Sequence, residues 1–363
     1  TGDKTLLRKV SGAWDDIHER QMYITGGVSV AEHYEHDYVK PLSGNIVETC
    51  ATMSWMQLTQ QLLELTGESK YADAMERLMI NHVFAAQDCE SGVCRYHTAP
   101  NGSKPDGYFH GPDCCTASGH RIISMLPTFI YAEREKEFYI NQYMPSQYTG
   151  KDFAFEITGN YPESENMQLT IVSDKTLNLR IPSWCEHPEI KVNGENIADV
   201  KPGTYLKLPR KWTKGDKVSI TFPMEEKWVS RSHHSKYVSY KLAGGEIMYK
   251  EEPTDRIPHA FVRGPIVYSL DMIWNKQLCN DDVNMDQDIR MNTTMKPTLI
   301  NKPDNNMLGP VYQTKALYKG SEVDVILTPF ANIGQWFRPD GVKPQKYANA
   351  FTYGIWLYNI GTK

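Results

Sequence analysis

The chain has 363 residues, with 40% hydrophobic and 23% charged residues, a composition ordinary for a globular protein. Its formal net charge of −5 and pI near 6.1 argue against nucleic-acid binding, which favours a basic face. No apolar run approaches the roughly 18 residues of a membrane span, and no charged-then-apolar secretory leader is recognised at Thr1. The length predicts two to three domains. Neither a membrane nor a nucleic acid is expected as a partner.

Helical periodicity dominates the first third of the chain. Residues 3–23 and 47–66 predict two helices, and Gly67 ends the second of them. Ser69 is then predicted as the N-cap of a third helix over residues 70–86. A fourth helix is predicted over residues 117–132. The stretch 88–113 is rich in Gly, Pro, Asp and His and is predicted as a long functional loop.

From residue 136 onward the apolar residues alternate with period two, which predicts strands. Asn193-Gly194 is a strong hairpin-turn signal. These patterns predict one β-sandwich over residues 136–233 and a second over 234–363, with 276–310 as a long insertion or loop. The sequence thus predicts an α-plus-β multidomain fold.

An adjacent cysteine pair, Cys114-Cys115, is the main chemical signal, together with Glu48 and Cys50 upstream. Three thiols and one carboxylate could form a tetrahedral zinc site, because Zn²⁺ binds thiolate sulfur and carboxylate oxygen in fourfold geometry. Three alternatives remain open at this point. The pair could be two buried small hydrophobes, a rare strained disulfide, or ligands of a purely structural zinc.

The remaining cysteines carry weaker signals. Seven cysteines is an odd number, which excludes a complete disulfide framework. Cys89 and Cys94 are close enough in sequence to pair, although free thiols are an equal alternative. Cys185 and Cys279 lie in the β-rich part and are predicted to be structural. Free thiols fit a bacterial cytoplasm or periplasm only loosely, so the compartment stays open.

Several motifs occur in order along the chain and resemble glycoside hydrolase family 127 and the related family 146, the bacterial β-L-arabinofuranosidases. The most specific are Glu48-Thr49-Cys50-Ala51 and Cys114-Cys115. The others are Thr25-Gly26-Gly27, Asp37-Tyr38, Tyr139–Ser146, Leu179–Trp184, Val192-Asn193-Gly194, Trp212 with Lys214-Gly215-Asp216, Phe222-Pro223-Met224 and Val262–Tyr268.

The resemblance implies a zinc site and a cysteine nucleophile. The positions that match the family's zinc ligands are Glu48, Cys50, Cys114 and Cys115, and Cys114 matches the nucleophile. Glu32 matches the acid/base by its offset from Asp37-Tyr38. Such a site implies a retaining glycosidase, in which an acid protonates the leaving oxygen while a nucleophile attacks the opposite face of the sugar.

Other residues are assigned less directly. Glu35 is the nearest rival of Glu32 for the acid/base role. Tyr96 and His97, between the two halves of the zinc site, are carried over as substrate-binding residues. The family usually has Gly before its acid/base, whereas this chain has Ala31, a departure that concerns the identity of the sugar.

The family's catalytic domain is an (α/α)₆ barrel, of which this chain supplies only about four helices. The resemblance therefore implies a partial (α/α)₆ barrel at 1–135, followed by two antiparallel β-sandwich domains. The rest of the barrel would come from an absent upstream half or from a partner chain. A half barrel would expose wide apolar faces.

Two classes of function follow. The first is a zinc-dependent β-L-arabinofuranosidase or close relative that acts on plant-type oligosaccharides or polysaccharides. The second is a non-catalytic, zinc-stabilised carbohydrate-binding or scaffold module. A weaker third reading is an ordinary glycosidase that uses two carboxylates, such as Glu32 and Asp37, beside a structural zinc.

Overall fold

A computed structural model describes residues 2–34, 42–88, 92–103, 113–150, 154–231, 238–242, 245–249, 257–278, 285–334 and 352–360. Predictions that concern Glu35, Asp37-Tyr38, Cys89 and Cys279 lie outside the described residues. Among the helices that the structure describes, none is both long and apolar enough to cross a membrane.

The first two helices confirm the sequence prediction with shorter bounds. Helix α1 spans Lys4–Arg20 and helix α2 spans Thr49–Thr66. The Asp3 carboxylate caps α1 by accepting hydrogen bonds from two backbone N–H groups of the first turn, at 2.8 and 3.2 Å. Gly67 ends α2 with a φ of 72°, a left-handed conformation that glycine adopts without steric cost.

The third helical run begins one residue earlier than predicted and ends at residue 86 as predicted, but a π-helix interrupts it. Helix α3 spans Ser69–Arg77, and the chain continues through a π-helix, Leu78–Val83, into the short helix α4, Phe84–Ala86. The prediction that Ser69 is the N-cap is wrong, since Glu68 occupies that position without a side-chain cap. The Ser69 hydroxyl instead donates to the carbonyl of Gly203, 2.5 Å away, which ties the helix to the β-rich part.

The predicted loop 88–113 contributes a strand to a distant part of the molecule. Strand β1, Asn101–Ser103, pairs with residues 352–354. Helix α5, Cys114–Met125, then begins three residues earlier than predicted, and a 3₁₀ turn, Leu126–Phe129, follows it. The Asp113 side chain caps α5 through the Thr116 N–H at 2.7 Å, so both cysteines lie inside the first helical turn.

Two antiparallel-rich sheets face each other across a shared apolar core and account for residues 131–221. In the four-stranded sheet the order is β10-β7-β3-β2, and in the six-stranded sheet it is β4-β5-β6-β11-β8-β9. The strands are β2 Tyr131–Arg134, β3 Glu137–Ile140, β4 Ser146–Thr149, β5 Ala154–Gly159, β6 Asn166–Val172, β7 Thr176–Ile181, β8 Glu189–Val192, β9 Glu195–Asn196, β10 Thr204–Leu208 and β11 Lys217–Thr221. Strand β2 begins where the prediction still had helix, so the predicted helix over 117–132 is too long at its end.

The C-terminal part supplies nine strands that, together with β1, form a ten-stranded hydrogen-bonded network, and within the described residues it also holds a separate two-stranded hairpin. The elements are β12 Glu226–Ser230, β13 Val238–Leu242, β14 Gly245–Tyr249, β15 Pro258–Arg263, β16 Ile266–Asp271, α6 Met285–Asp288, β17 Ile289–Met291, β18 Thr298–Ile300, β19 Val311–Tyr318, β20 Ser321–Pro329, β21 Thr352–Gly354 and β22 Leu357–Tyr358, with 3₁₀ turns at Lys276–Leu278 and Phe330–Asn332. Strands β17 and β18 and helix α6 lie in the stretch predicted as an insertion.

Strand β12 bears on the predicted domain boundary at residue 233. It pairs with β15 rather than with the earlier sheets, so residues 226–230 belong by hydrogen bonding to the C-terminal network. The boundary itself, and the arrangement of residues 234–363 as a second sandwich, remain predictions.

A buried ion cluster joins α3 to the four-stranded sheet. Arg180, fully buried on β7, forms ion pairs with Asp73 at 2.5 Å and with Glu76. Trp184 Nε1 and the Tyr161 hydroxyl donate to the two oxygens of Glu76, at 2.8 and 2.5 Å. Because every charged member has a partner, the cluster fixes the helical part against the sandwich.

Candidate active site

Four side chains from two helix N-termini converge as predicted. One ligand atom from each of Glu48, Cys50, Cys114 and Cys115 lies within 4.8 Å of all the others. Cys115 Sγ is 3.2 Å from Cys50 Sγ, 3.5 Å from Glu48 Oε1 and 3.9 Å from Cys114 Sγ. Sulfur atoms on a tetrahedral zinc with 2.3 Å bonds would be about 3.8 Å apart, so the cluster has the size of such a site.

The backbone explains how Glu48 and Cys50 reach the same point. Glu48 is the N-cap of α2 with an extended conformation, φ −73° and ψ 137°, and Cys50 is in the first turn. Side chains two residues apart lie on the same side only where the backbone between them is extended. The extended conformation of Glu48 therefore allows the Glu48 and Cys50 side chains to point to the same place. The Glu48 N–H is held by Ser29 Oγ at 3.0 Å, and Val47 before it has a φ of 55°, rare for a β-branched residue.

The segment at residues 95–97 is held against the first turn of α2. The Thr49 N–H donates to the Tyr96 carbonyl at 2.9 Å, and the Thr49 hydroxyl donates to the Arg95 carbonyl at 2.6 Å. Glu48 and His97 also form an isolated antiparallel bridge. The first turn of α2 thus fixes the position of Tyr96 relative to the cluster.

The electrostatics of the cluster favour a cation. Burial raises the pKa of Glu48, with a further increase from the negative charge of Glu32. Burial also raises the pKa of the Cys50 thiol, and burial together with Cys50 raises the pKa of Cys115 strongly. Desolvation and like-charged neighbours are the causes, and a bound divalent cation would reverse both. The donor set, its spacing and its charge therefore fit zinc.

Exposure divides the four side chains by role. Glu48 and Cys115 are buried, Cys50 is partly buried, and Cys114 is exposed. The 3.9 Å between the sulfurs of Cys114 and Cys115 excludes a vicinal disulfide in this structure, and both thiols are free. The alternative of two buried hydrophobes fits Cys115 but not Cys114, whose sulfur faces solvent as a nucleophile requires.

Glu32 lies in a tight hairpin turn at the edge of the cluster. Val30 and His33 exchange two backbone hydrogen bonds of 2.9 Å, and the two residues between them, Ala31 and Glu32, have φ angles of 47° and 68°. Two positive φ values between paired residues are typical of a type I′ turn, which prefers Asn and Gly. Non-glycine residues here store backbone strain, a feature that clusters at functional sites.

The Tyr96 hydroxyl connects Glu32 to Cys114. It donates a short hydrogen bond to Glu32 Oε1 and lies 4.0 Å from Cys114 Sγ. The pKa of Tyr96 is strongly raised, chiefly by the hydrogen bond to Glu32 and secondly by burial, so the phenol stays protonated. The carboxylate and the thiol therefore stand on either side of one hydroxyl group.

The structure places the other predicted residues as follows. His97 packs its ring against Tyr96 with centroids 4.6 Å apart, next to the site, while its backbone bridges Glu48. Ser118 was missed by sequence reasoning, although its Oγ lies 3.4 Å from Cys50 Sγ. It follows Cys114 by one helical turn, the spacing that places two side chains on the same helix face, and that signal could have found it.

Comparisons with known proteins point to one glycoside hydrolase family. Residues 1–128 match the family profile described as the β-L-arabinofuranosidase GH127 catalytic domain, and residues 137–224 match the GH127 middle domain. The non-reducing end β-L-arabinofuranosidase of Bifidobacterium longum subsp. longum is 25% identical, over 77% of this chain and 45% of that protein.

Solved structures show the same fold. A GH127 β-arabinofuranosidase superposes with a TM-score of 0.75 at 23% identity, and a GH127 β-L-arabinofuranosidase from Geobacillus stearothermophilus T6 superposes with a TM-score of 0.72 at 23% identity. Each alignment covers 99% of this chain and 57% of the other. The chain thus spans about half the length of these relatives. With catalytic-domain and middle-domain matches over most of its first 224 residues, the chain belongs to glycoside hydrolase family 127.

Proposed function

We propose that this protein acts as a zinc-dependent retaining glycoside hydrolase, a β-L-arabinofuranosidase or close relative that acts on plant-type glycans. The observation that carries the proposal is the position of Glu32 and Cys114 against the same Tyr96 hydroxyl. A retaining mechanism needs an acid and a nucleophile close together on opposite sides of one glycosidic bond.

Glu32 would donate a proton to the leaving oxygen while the Cys114 sulfur attacks the anomeric carbon. The glycosidic C–O bond breaks as the C–S bond forms. Glu32, now a carboxylate, then takes a proton from water, and the oxygen of that water replaces sulfur at the same carbon. Zinc, held by Glu48, Cys50, Cys114 and Cys115, would supply the deprotonated sulfur at neutral pH.

Tyr96 and His97 would contribute to substrate binding. The Tyr96 hydroxyl holds the Glu32 carboxylate through its hydrogen bond, and substrate binding would insert a sugar oxygen into that contact. His97 packs on the Tyr96 ring and would set its orientation. Neither residue needs to change its protonation state in this scheme.

The helices of residues 1–135 would form part of an (α/α)₆ barrel, with one β-sandwich at 136–233 and another at 234–363. The half-length coverage of the relatives supports this reading. In that arrangement, further barrel helices, from a longer polypeptide or a partner chain, would close the substrate pocket around the cluster.

The test is hydrolysis of an aryl β-L-arabinofuranoside by zinc-loaded protein, together with three single variants. Cys114→Ser should lose turnover by at least about 10³-fold, because serine is not activated as thiolate is. Glu32→Gln should lose a comparable factor on substrates with poor leaving groups and much less on activated ones. Cys185→Ala, which removes a buried thiol outside the site, is the matched control and should retain activity.

Mass spectrometry gives a second readout, since Glu32→Gln with an activated substrate should accumulate a pentosyl adduct on the peptide that contains Cys114. Full activity in Cys114→Ser would sink the cysteine mechanism and favour two carboxylates. Stoichiometric zinc and sugar binding without turnover or adduct would favour a non-catalytic binding module.

A further inference from the structure

A second cleft lies at the opposite end of α2 from the metal cluster. Gln60 and Glu64 of α2 form one wall, and Tyr139 of β3, Asn141 directly after β3 and Tyr205 of β10 form the other. Its volume is about 610 Å³, within the range of small-molecule sites. Glu64 follows Cys50 by a helical length of about 21 Å, so the cleft is separate from the candidate active site.

The sheet wall offers two tyrosine rings in fixed positions. Tyr139 and Tyr205 meet edge to face, with centroids 5.5 Å apart. The Tyr139 hydroxyl donates to Glu137 at 2.5 Å, and the Tyr205 hydroxyl donates to Asn141 Oδ1 at 2.6 Å. Because both hydroxyls are tethered, the rings lose little rotamer freedom on binding a ligand, which is the advantage of a preorganised site.

Asn141 is the unusual polar group of this wall. The residue is only 4% exposed, and its backbone carbonyl accepts a hydrogen bond from Arg180. Its Oδ1 accepts from Tyr205, but in the described part of the chain its Nδ2 group makes no hydrogen bond. The Nδ2 group is not among the sealed, unsatisfied polar atoms of the described interior, so it is accessible from the cleft, where its two N–H donors can bond to water or to an acceptor of a ligand.

The charges of the cleft select against an anion. Glu64 of α2 and Glu133 of β2 line it, and Arg134 is the only cation among its described lining residues. Glu133 forms an ion pair with Lys175 outside the cleft, while Glu64 accepts from Gln60 at 3.0 Å. Amide, carboxylate and aromatic groups side by side suit a neutral polyhydroxylated ligand, whose C–H faces pack on rings while its hydroxyls bond to the polar groups.

We infer that this cleft is an accessory binding site for a neutral glycan, in which a sugar ring packs on Tyr139 and Tyr205 and a hydroxyl oxygen accepts from Asn141 Nδ2. The site would hold a polysaccharide about 20 Å from the proposed point of cleavage. The inference does not depend on the cysteine mechanism, because no residue of the metal cluster takes part.

The test is calorimetric titration of the full chain with a neutral arabino-oligosaccharide, in a Glu32→Gln background that prevents turnover. Asn141→Asp keeps the acceptor for Tyr205 but removes the Nδ2 donor, and it should weaken binding by about fivefold or more. Tyr139→Ala should weaken it similarly, whereas Tyr139→Phe should stay within about twofold. Tyr318→Ala, a tyrosine on β19 outside the cleft, is the matched control.

Two further arms separate this site from the active site. Cys115→Ala, which disrupts the metal cluster, should leave the accessory affinity unchanged, and an acidic oligogalacturonate should bind more weakly than the neutral oligomer. Thermal unfolding of each variant establishes that it folds. Equal affinity in Asn141→Asp, Tyr139→Ala and the parent would overturn the inference, as would tighter binding of the acidic oligomer or loss of all binding in Cys115→Ala.

Discussion

Carboxylates are buried in two clusters of this molecule, and one of these clusters contains a positively charged side chain while the other does not. At the junction of α3 and β7, Asp73 and Glu76 surround Arg180, whose guanidinium forms an ion pair with each of them. Burial alone would lower the pKa of Arg180, but the two carboxylates outweigh it and raise that pKa well above its usual value. This cluster contains its own cation.

The cluster at the N-termini of α2 and α5 has four groups that are neutral or negative, and the pKa of Glu48 and of two of its thiols is raised. The comparison teaches that burial of acids is not by itself a sign of function. Where the chain supplies the counter-ion, the cluster holds the fold together, and where it does not, the cluster could hold a metal ion.

Removal of Arg180 should have the largest effect on stability. Arg180→Met removes the ion-pair partner of the buried Asp73 and Glu76, which should reduce the free energy of unfolding by about 3–5 kcal/mol. Urea unfolding measures this loss. Arg210→Met, at an arginine whose side chain is 41% exposed, should change stability by less than about 0.5 kcal/mol. Equal losses in the two variants would mean that the buried cluster is not a structural centre.

Binding of zinc to the second cluster should stabilise the folded protein. At a free zinc concentration of a hundred times Kd, binding adds about 2.7 kcal/mol to the free energy of unfolding, and a chelator should remove that increment. Cys115→Ala should abolish the response to the chelator, while Cys185→Ala should keep it. An identical chelator response in both variants would contradict the assigned ligand set.

His82 tests a buried group that has no counter-ion. It lies in the π-helix with neither ring nitrogen hydrogen-bonded within the described structure, and burial lowers its pKa to about 3. In the unfolded chain the His82 imidazole is protonated below about pH 6.5, whereas in the folded protein it stays neutral down to about pH 3. The free energy of unfolding therefore falls as the pH drops from about 6.5 towards 3. Between pH 7 and pH 5, His82 should lower the free energy of unfolding by about 2 kcal/mol.

The measurement compares unfolding free energies at pH 7 and pH 5 in the parent and in His82→Gln. The glutamine variant lacks the titrating group and should show a drop that is smaller by about 2 kcal/mol. Parallel pH profiles for the two proteins would show that His82 is not neutral and unpaired in the folded state.

Ala31→Gly should have the smallest effect and the opposite sign. Ala31 has a φ of 47° in the turn that presents Glu32, and glycine adopts that conformation without a steric cost. The substitution should stabilise the fold by up to about 1 kcal/mol, measured by urea unfolding. Ala51→Gly, inside α2, is the control and should destabilise instead. A loss of stability in Ala31→Gly would show that the turn is not strained.

The sequence was a good guide wherever the signal was local. Hydrophobic periodicity predicts the helices that contain Trp14 and Met53 and the strand that contains Leu177 and Leu179, and turn chemistry predicts the Asn193-Gly194 turn. Both signals act over a few residues. The metal cluster was predicted because resemblance supplied the long-range pairing of Glu48 and Cys50 with Cys115, which spacing alone leaves open.

Other features depend on contacts that no local pattern encodes. The start of α5 at Cys114 depends on the cap by Asp113, and the true start of α3 leaves Ser69 free to bond Gly203 instead of its own helix. The π-helix contains Asn81, whose amide bonds to Pro265 and Val267 of the C-terminal part. Strand β1 lacks a partner until β21 is present.

That last pairing has a consequence for how the protein is made. Asn101 holds residues 355 and 356 through three hydrogen bonds of 3.0 Å, and the Tyr353 hydroxyl donates to the Ala99 carbonyl, only a few residues beyond Tyr96. On the ribosome, the segment that carries Tyr96 is synthesised about 250 residues before its anchor. Long-range pairings form late in folding. The nascent protein would therefore complete its candidate catalytic centre only after residues 352–356 have been synthesised, and a version cut after β11 would leave that centre untethered.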